Sequence, residues 1–398
     1  KQNYQGVIPE ILVKWFDERK DLRKLAKKHG DAKEWDKYEF YDQRQKVQKV
    51  LLNSIYGVLG LPIFRFYDKD NASAVTLTGQ DIIKTANKAI NQYYRKTLGV
   101  NDNTDYVIYV DTDSCFASAL PIIKHTMPDI NLDDEKQMTS AILKVCTEAQ
   151  NHVNETFHIM AKRMFNVTKH RFDAKQEVIA KTSFWLAKKR YAQFIINKGG
   201  IECDELEVKG IDVVRTSFPM RFRKFMEQFL QDILRKVNKE TIDTNIIQLV
   251  EDLPKFNVIE IAKNTSVKFK SQDGKKEYSP KTRSPFKYVL GTPAQAKAAI
   301  FYNDLLEHYG LTKNIPKILH GQKIKWVYLK QNEYGAEGIA LKADGTDPDQ
   351  ILEFVEKYVD RNAMYEQELK GKLKDFYDVL NWEYPSINDA KASEFFSF

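Results

Sequence analysis

Cysteine is scarce. The 398 residues hold three, Cys115, Cys146 and Cys203, an odd number at spacings that suit neither a disulfide framework nor a zinc site, so a reducing compartment is expected. Glycine (17) and proline (12) are too few for a low-complexity chain, while 23 Phe and 20 Tyr supply ample core-forming surface, which confines disorder to short segments. No apolar run reaches the ~18 to 20 residues that a spanning helix needs, and no signal-peptide pattern opens the chain, so no membrane is expected. No internal repeat is visible. The numbering opens at Lys1 instead of Met, from which we expect an upstream portion to have been removed, cleaved or left out. The length exceeds the ~250 to 300 residues of a single core, so two or three subdomains are expected.

What is abundant is positive charge, unevenly placed. The formal net charge is +7, yet residues 161–200 alone carry ten Lys or Arg against Asp173 and Glu177, an excess of +8. Such a stretch suits a polyanion such as nucleic acid, or a solvated basic surface. Apolar periodicity predicts a helix after Pro9, with Ile11, Leu12, Trp15, Phe16 and Leu22 on one stripe, ended by Gly30. A second helix is expected from about Glu34 to Tyr56, making an antiparallel hairpin with the first, and a third from about Thr78 to Thr97, closed by Gly99. A tight β-hairpin follows at 106–117, then a helix over about 133–165 and strands at 177–180, 184–196 and 206–214. Beyond Pro219 the pattern is mostly helical, with a polar, Lys-rich loop at about 264–285.

Three constellations could carry chemistry. In "YVDTDSCF" (Tyr109 to Phe116), Asp111 and Asp113 stand one residue apart at the tip of an apolar hairpin. Two close carboxylates repel unless a proton or a divalent cation offsets them, and hard oxygen donors suit Mg²⁺; Asp, Thr and Ser are also the residues of an ordinary turn. Arg19 and Arg23 are spaced i, i+4 on the first expected helix, as are Lys49 and Asn53 on the second, with Tyr56 on the face of the latter pair. In an antiparallel pair these donors form a strip suited to a triphosphate, or a solvated face paired with Asp17 and Asp21. Gly57 either caps the helix or lets another group approach. Finally, Lys188-Lys189-Arg190-Tyr191 follows Phe184-Trp185, interleaving aromatics and cations as a nucleic-acid track or a lysine-protected edge strand does.

Taken together these motifs resemble family B DNA polymerases, especially the replicative enzymes of T-even-like bacteriophages. "KVLLNSIYG" (Lys49 to Gly57) is similar to the fingers motif K-x-x-x-N-S-x-Y-G, "YVDTDS" to the palm motif Y-x-D-T-D-S, and "KKRY" (188–191) to a further palm motif. "GVIPEILVKWFDERKDLR", "FRFYDKDNASAVTLTGQ" and "VKGIDVVRTSFP" (208–219) support it, in order and across essentially the whole chain. The resemblance implies an α+β right hand: helical-hairpin fingers at 1–59, a palm with antiparallel sheet at 60–217 (metal-binding hairpin 106–117, basic strand 184–196), and a mostly helical thumb at 218–398. It implies a DNA-directed DNA polymerase working by two-metal nucleotidyl transfer. Asp113 would be the principal Mg²⁺ ligand, Asp111 a second acid and Glu177 a further palm carboxylate. Arg19, Arg23, Lys49, Asn53 and Tyr56 would hold the dNTP, Arg23 where the family often has Lys. Lys188, Lys189, Arg190, Tyr191, Lys209, Gly210 and Arg215 would meet primer-template DNA.

The resemblance also implies partners and a gap. "ASEFFSF" resembles the terminal peptide by which such phage polymerases hold a sliding clamp, through Phe395, Phe396 and Phe398; docking of these rings on the thumb is the alternative. The family's other catalytic carboxylate lies in a D-x-x-S-L-Y-P-S motif, which these 398 residues do not contain, nor is there an exonuclease region. One half of a split polymerase is therefore expected, active with an N-terminal polymerase/exonuclease polypeptide that shares the two Mg²⁺ ions, in the cytoplasm, the host's if viral. The competing expectations are a non-catalytic DNA-binding and clamp-tethering subunit and, among enzymes, a reverse transcriptase or RNA-dependent polymerase, against which the fingers and K-K-R-Y motifs argue.

Overall fold

A computed structural model of the chain describes residues 6–271, 274, 277–283 and 285–386. It is an α+β protein with antiparallel sheets, divided into two compact units, Lys1–Gln176 and Glu177–Phe398. Among the described residues no helix is long and apolar enough to cross a membrane.

The N-terminal unit opens with two long helices, α1 (Val7–Asp31) and α2 (Trp35–Leu59). They pack as the expected antiparallel hairpin: Arg19 Nε donates to Gln45 Oε1 at 3.3 Å, and Gln48 Nε2 to Glu18 Oε2 at 2.7 Å. At the connection, Lys33 adopts a left-handed φ of 57° and the His29 ring stacks on Tyr41 at 5.3 Å. Gly57 lies inside α2, which ends at Gly60. The third helix, α3 (Lys69–Leu98), begins nine residues earlier than expected because the Asp68 carboxylate accepts from the backbone N–H groups of Asp70 and Asn71, a cap hidden in a stretch that reads as a turn. Gly99, at φ 66°, closes it as expected. β1 (Val107–Asp111) and β2 (Ser114–Ala117) form the tight hairpin, and α4 (Leu120–Thr126) and α5 (Glu135–Met164) follow. Two small cores hold α3 to the rest, one around Tyr93, Tyr94, Ile122 and Ile123, the other around Ala89, Val153, Phe157 and Met160.

The C-terminal unit begins with a meander of β3 (Val178–Ala187), β4 (Arg190–Lys198) and β5 (Ile201–Lys209). This corrects the single basic strand expected over 184–196. Ala187 pairs with Arg190, so Lys188 and Lys189 form the turn between two strands, and the three cations do not run along one. The strand expected to reach 214 ends at Lys209, since Gly210 takes φ 66° and Asp212–Val214 coil into a short helical turn. The chain continues through α6 (Met220–Leu234), α7 (Lys239–Glu251), α8 (Val258–Ile261), β6 (Lys263–Ser266), β7 (Pro280–Arg283), β8 (Phe286–Tyr288), α9 (Ala294–His308), β9 (Lys323–Tyr328), β10 (Gly338–Lys342), α10 (Asp349–Tyr358), α11 (Arg361–Tyr365), a π-helical turn at Glu366–Lys370 and α12 (Gly371–Leu380). The expected loop at 264–285 thus contains β6 and β7, and a sheet of order β10-β9-β6 stands among the helices. Periodicity misses it because a short, fully buried run such as Ile339, Ala340 and Leu341 reads equally as strand or helix. One continuous apolar core, from Phe184 to Tyr377, fills this unit.

Candidate active site and nucleic-acid interface

The acidic turn is built by sterics and then pinned. Asp111 pairs with Ser114, leaving Thr112 and Asp113 as the loop. Thr112 takes φ 53°, a left-handed conformation that costs a β-branched residue on the order of 1–3 kcal/mol. The Asp113 N–H donates back to Asp111 O at 2.6 Å, Ser114 Oγ donates to the same carbonyl at 3.1 Å, and Thr112 Oγ1 donates to Asp111 Oδ1 at 3.0 Å. Asp111 is half-buried and Asp113 exposed.

Helix α3 fixes both ends of this hairpin, through residues that the sequence reading passed over. The buried Asn91 amide donates to Asp105 Oδ1 at 2.8 Å and accepts from the Tyr106 N–H at 2.7 Å, where β1 begins. One turn further along α3, Tyr94 OH donates to Ser118 O at 2.9 Å, just past β2. A polar residue on an otherwise apolar helix face was the available signal at Asn91. Cys115, beside the acids, is a neutral thiol, its pKa pushed up to about 11 by burial and then by the Asp105 charge.

On α1 and α2 the observed register sets the cations in a row. Arg19 stands level with Gln45, Lys49 lies roughly one turn (~5 Å) along α2 from that level, and Asn53 about one turn beyond Lys49. Arg19 is half-buried, and burial followed by the neighbouring Arg23 charge lowers its pKa from the usual guanidinium value. Asp21 pairs with Lys24, and Asp17 lies 3.9 Å from Arg171. Among the described residues Arg19, Arg23 and Lys49 form no ion pair, so the acids nearest in sequence leave the strip's charge uncompensated. Ser54 Oγ donates to Val50 O at 2.8 Å, which accommodates it in the helix; Asn53 and Tyr56 are exposed, and a Cβ added at Gly57 would meet open space.

In the C-terminal unit, Lys188 and Lys189 form the β3–β4 turn, with Lys189 at φ 62°. Asp212 lies 3.7 Å from Arg190 and 3.2 Å from Arg215, tying two of the expected DNA-contacting cations together, and Lys209 pairs with Glu207 at 3.1 Å. Tyr191 is buried, its ring 4.6 Å from that of Trp185. Glu177 is exposed at the far end of β3, about 30 Å along the strand from Lys188. Phe395, Phe396 and Phe398 lie outside the described residues.

The donor set at the turn suits Mg²⁺ in kind, being hard carboxylate oxygen, but two side chains cannot fill an octahedral shell. Among the described residues, no group of three or more His, Cys, Asp or Glu is arranged to hold a metal. Further ligands would have to come from water, substrate phosphates or a carboxylate elsewhere.

Comparison with known proteins agrees with these motifs. Residues 1–271 match the model for "DNA polymerase family B". The chain is 24% identical to the DNA-directed DNA polymerase of Enterobacteria phage T4, over 88% of this chain and 38% of that protein. It is 25% identical to that of Escherichia phage RB69, over 96% of this chain and 42% of the relative, and 25% identical to a DNA polymerase of Thermococcus gorgonarius, over 65% and 28%. The chain thus spans about two fifths of the length of the phage relatives it matches. With well over half of its residues inside the family match, and with that match spanning the helical strip, the acidic turn and the basic turn, the chain belongs to DNA polymerase family B.

Proposed function

We propose that this chain is the C-terminal, fingers-palm-thumb portion of a DNA-directed DNA polymerase, with fingers at 1–59, palm at 60–217 and thumb at 218–398. The observation that carries the reading is the Asp111–Asp113 turn, held in a strained conformation by its own hydrogen bonds at the tip of a hairpin whose base α3 anchors at Asp105, Tyr106 and Ser118. Strain of this kind persists only where the surroundings over-determine it. Asp113, with Asp111 beside it, would hold Mg²⁺, which when bound offsets charge at the attacking 3′-oxygen and the leaving pyrophosphate. Arg19, Arg23, Lys49 and Asn53 orient the triphosphate, Tyr56 packs near the nascent base pair, and the Lys188–Arg190 turn with Lys209 and Arg215 tracks the duplex backbone. Glu177 is the least supported of the metal assignments. The second catalytic carboxylate comes from outside these 398 residues, on an N-terminal polypeptide. The phenylalanines of the tail tether a sliding clamp.

Primer extension tests this. The chain should extend a primer when mixed with a polypeptide carrying the D-x-x-S-L-Y-P-S strand, and Asp113→Ala should abolish extension while DNA binding persists. Extension that survives in Asp113→Ala overturns the metal assignment, and robust extension by the 398-residue chain alone overturns its dependence on an outside carboxylate. The cationic β3–β4 turn also supports a second reading, a DNA-binding, clamp-tethering subunit without catalysis. In that case the mixture binds primer-template and clamp yet never extends.

A further inference from the structure

Gly210 stands apart from the other glycines of the chain. It closes β5 at φ 66°, and a Cβ built on it would lie 1.9 Å from the carbonyl oxygen of Lys189 and 3.4 Å from Arg190 Cγ. The first distance is far inside van der Waals contact, and the atom it meets is backbone, which cannot swing aside as a side chain can. The bare Cα of Gly210 is therefore seated against the β3–β4 turn. Three further features converge there. Lys189 is itself left-handed, at φ 62°. The β3–β4 register slips between Trp185 and Ala187, a bulge immediately before the turn. Two residues beyond Gly210, Asp212 engages both Arg190 and Arg215.

A two-residue turn with a non-glycine residue at positive φ does not hold one conformation unaided. Here it is backed from one side by the Gly210 backbone and tied through Arg190 to Asp212. We propose that Gly210 and Asp212 are positioning residues: without touching DNA, they hold the Lys188–Arg190 turn in the shape that presents its cations to duplex phosphates. This rests on the reading of that turn as a DNA contact and adds the device that pre-organises it. It also reassigns Gly210, which the sequence motif places among the DNA-contacting residues.

The neighbouring β4–β5 turn supplies a matched control. Gly199 has φ 61°, almost the same backbone, but a Cβ there meets nothing within 4 Å. Gly199→Ala thus carries the conformational penalty of alanine at positive φ without the collision. The experiment compares the full chain with Gly210→Ala, Gly199→Ala, Asp212→Asn, Lys188→Ala/Lys189→Ala, and the last combined with Gly210→Ala. Affinity for a primer-template duplex is read against salt, with circular dichroism and hydrogen exchange of the 188–191 amides alongside. Gly210→Ala should weaken binding on the order of tenfold at low salt, lower the salt slope by about one phosphate contact, and speed exchange at 188–191. Gly199→Ala should do none of these, and Asp212→Asn should speed exchange at Arg190. In the Lys188→Ala/Lys189→Ala background, Gly210→Ala should cost clearly less than in the parent, because two of the three cations it positions are gone.

Equal binding by Gly210→Ala and Gly199→Ala overturns the proposal, as does a Gly210→Ala loss that adds in full to that of the double lysine variant. If the double lysine variant itself binds DNA as tightly as the parent, the reading of the turn as a DNA contact fails first. The exchange rates then report whether the latch exists for another purpose. Should Gly210→Ala not fold, Asp212→Asn carries the test, and unchanged affinity together with unchanged exchange at Arg190 overturns it.

Discussion

The two units solve opposite problems. From Phe184 to Tyr377 the C-terminal unit is organised around one continuous core in which helices, a three-stranded sheet and a π-helical turn bury large side chains against one another. In the N-terminal unit, by contrast, the 25-residue helix α1 buries only Ala26 and the equally long α2 buries nothing. Val7 is 70% exposed and Ile63 88%. The hairpin of helices is held largely by its own side-to-side contacts, several of them polar, and by its short connection, with Arg171 reaching Phe16 and Asp17 from outside it. An element with so little buried apolar area opens and moves at low free-energy cost, whereas one locked into a close-packed core does not. The candidate triphosphate strip thus lies on the loosely held element, where movement between open and closed positions would cost little. The cationic turn belongs to the tightly packed unit.

Predictions follow from pushing on each side of this contrast. The largest effect belongs to chemistry. Asp113→Asn should cut extension by the reconstituted polymerase about 10³-fold or more, with no change in the unfolding midpoint, because Asp113 is exposed and forms no part of either small core. Next comes packing. Phe376 is fully buried, with Phe184 at 5.1 Å and Phe229 at 5.5 Å, so Phe376→Ala should cost about 3–5 kcal/mol in denaturant unfolding. Val50→Ala on α2, where the side chain is exposed, should cost less than about 0.5 kcal/mol. Comparable losses at the two positions would erase the distinction drawn between the units. A smaller effect is expected on the strip. Arg19→Ala should raise the apparent KM for dNTP roughly 10- to 100-fold with little change in stability, since the guanidinium's one recorded partner is a 3.3 Å bond to Gln45.

How much of this could be read from the letters alone divides along the same line. Where residues depart from what local structure would choose, the sequence drew attention to them: two acids in an apolar hairpin, Asn53 in a helix, three successive cations beside aromatics. Helix existence was legible too, because periodicity survives over 25 or 30 residues. What remained hidden depends mostly on partners distant in sequence. Asn91 and Tyr94 as anchors and Gly210 against Lys189 take their meaning from atoms that only folding brings near, whereas the Asp68 cap is local and was masked by the turn-like residues around it. The break at Lys188–Lys189 was missed for a related reason. Lysine is an unusual occupant of a left-handed turn position, so the triplet itself carries no turn signal.

The smallest expected effect is electrostatic, and its sign differs between a capping carboxyl of one unit and a buried carboxyl of the other. In the N-terminal unit Asp134 caps α5, accepting from the Gln137 and Lys136 N–H groups, and these bonds hold its carboxyl below the usual range. A carboxyl shifted down stabilises the fold above its unfolded pKa and loses that contribution as pH falls through the folded value. In the C-terminal unit Asp347 is shifted the other way, raised chiefly by burial even though the Lys342 N–H donates to it at 3.0 Å. Its charged form is a burden on the fold at neutral pH, relieved as acid protonates it between the raised folded value and the ordinary one. Acidification from about pH 6 to about pH 3 should therefore lower protection of the first-turn amides of α5 and raise it along β10, away from the Lys342 N–H itself, once intrinsic exchange rates are divided out. Asp134→Asn should flatten the first trend, because an asparagine caps at any pH, and Asp347→Asn should flatten the second. Parallel trends in both places would mean that acid acts on the chain as a whole, through its net charge, and that the local environments of these two carboxyls do not govern it.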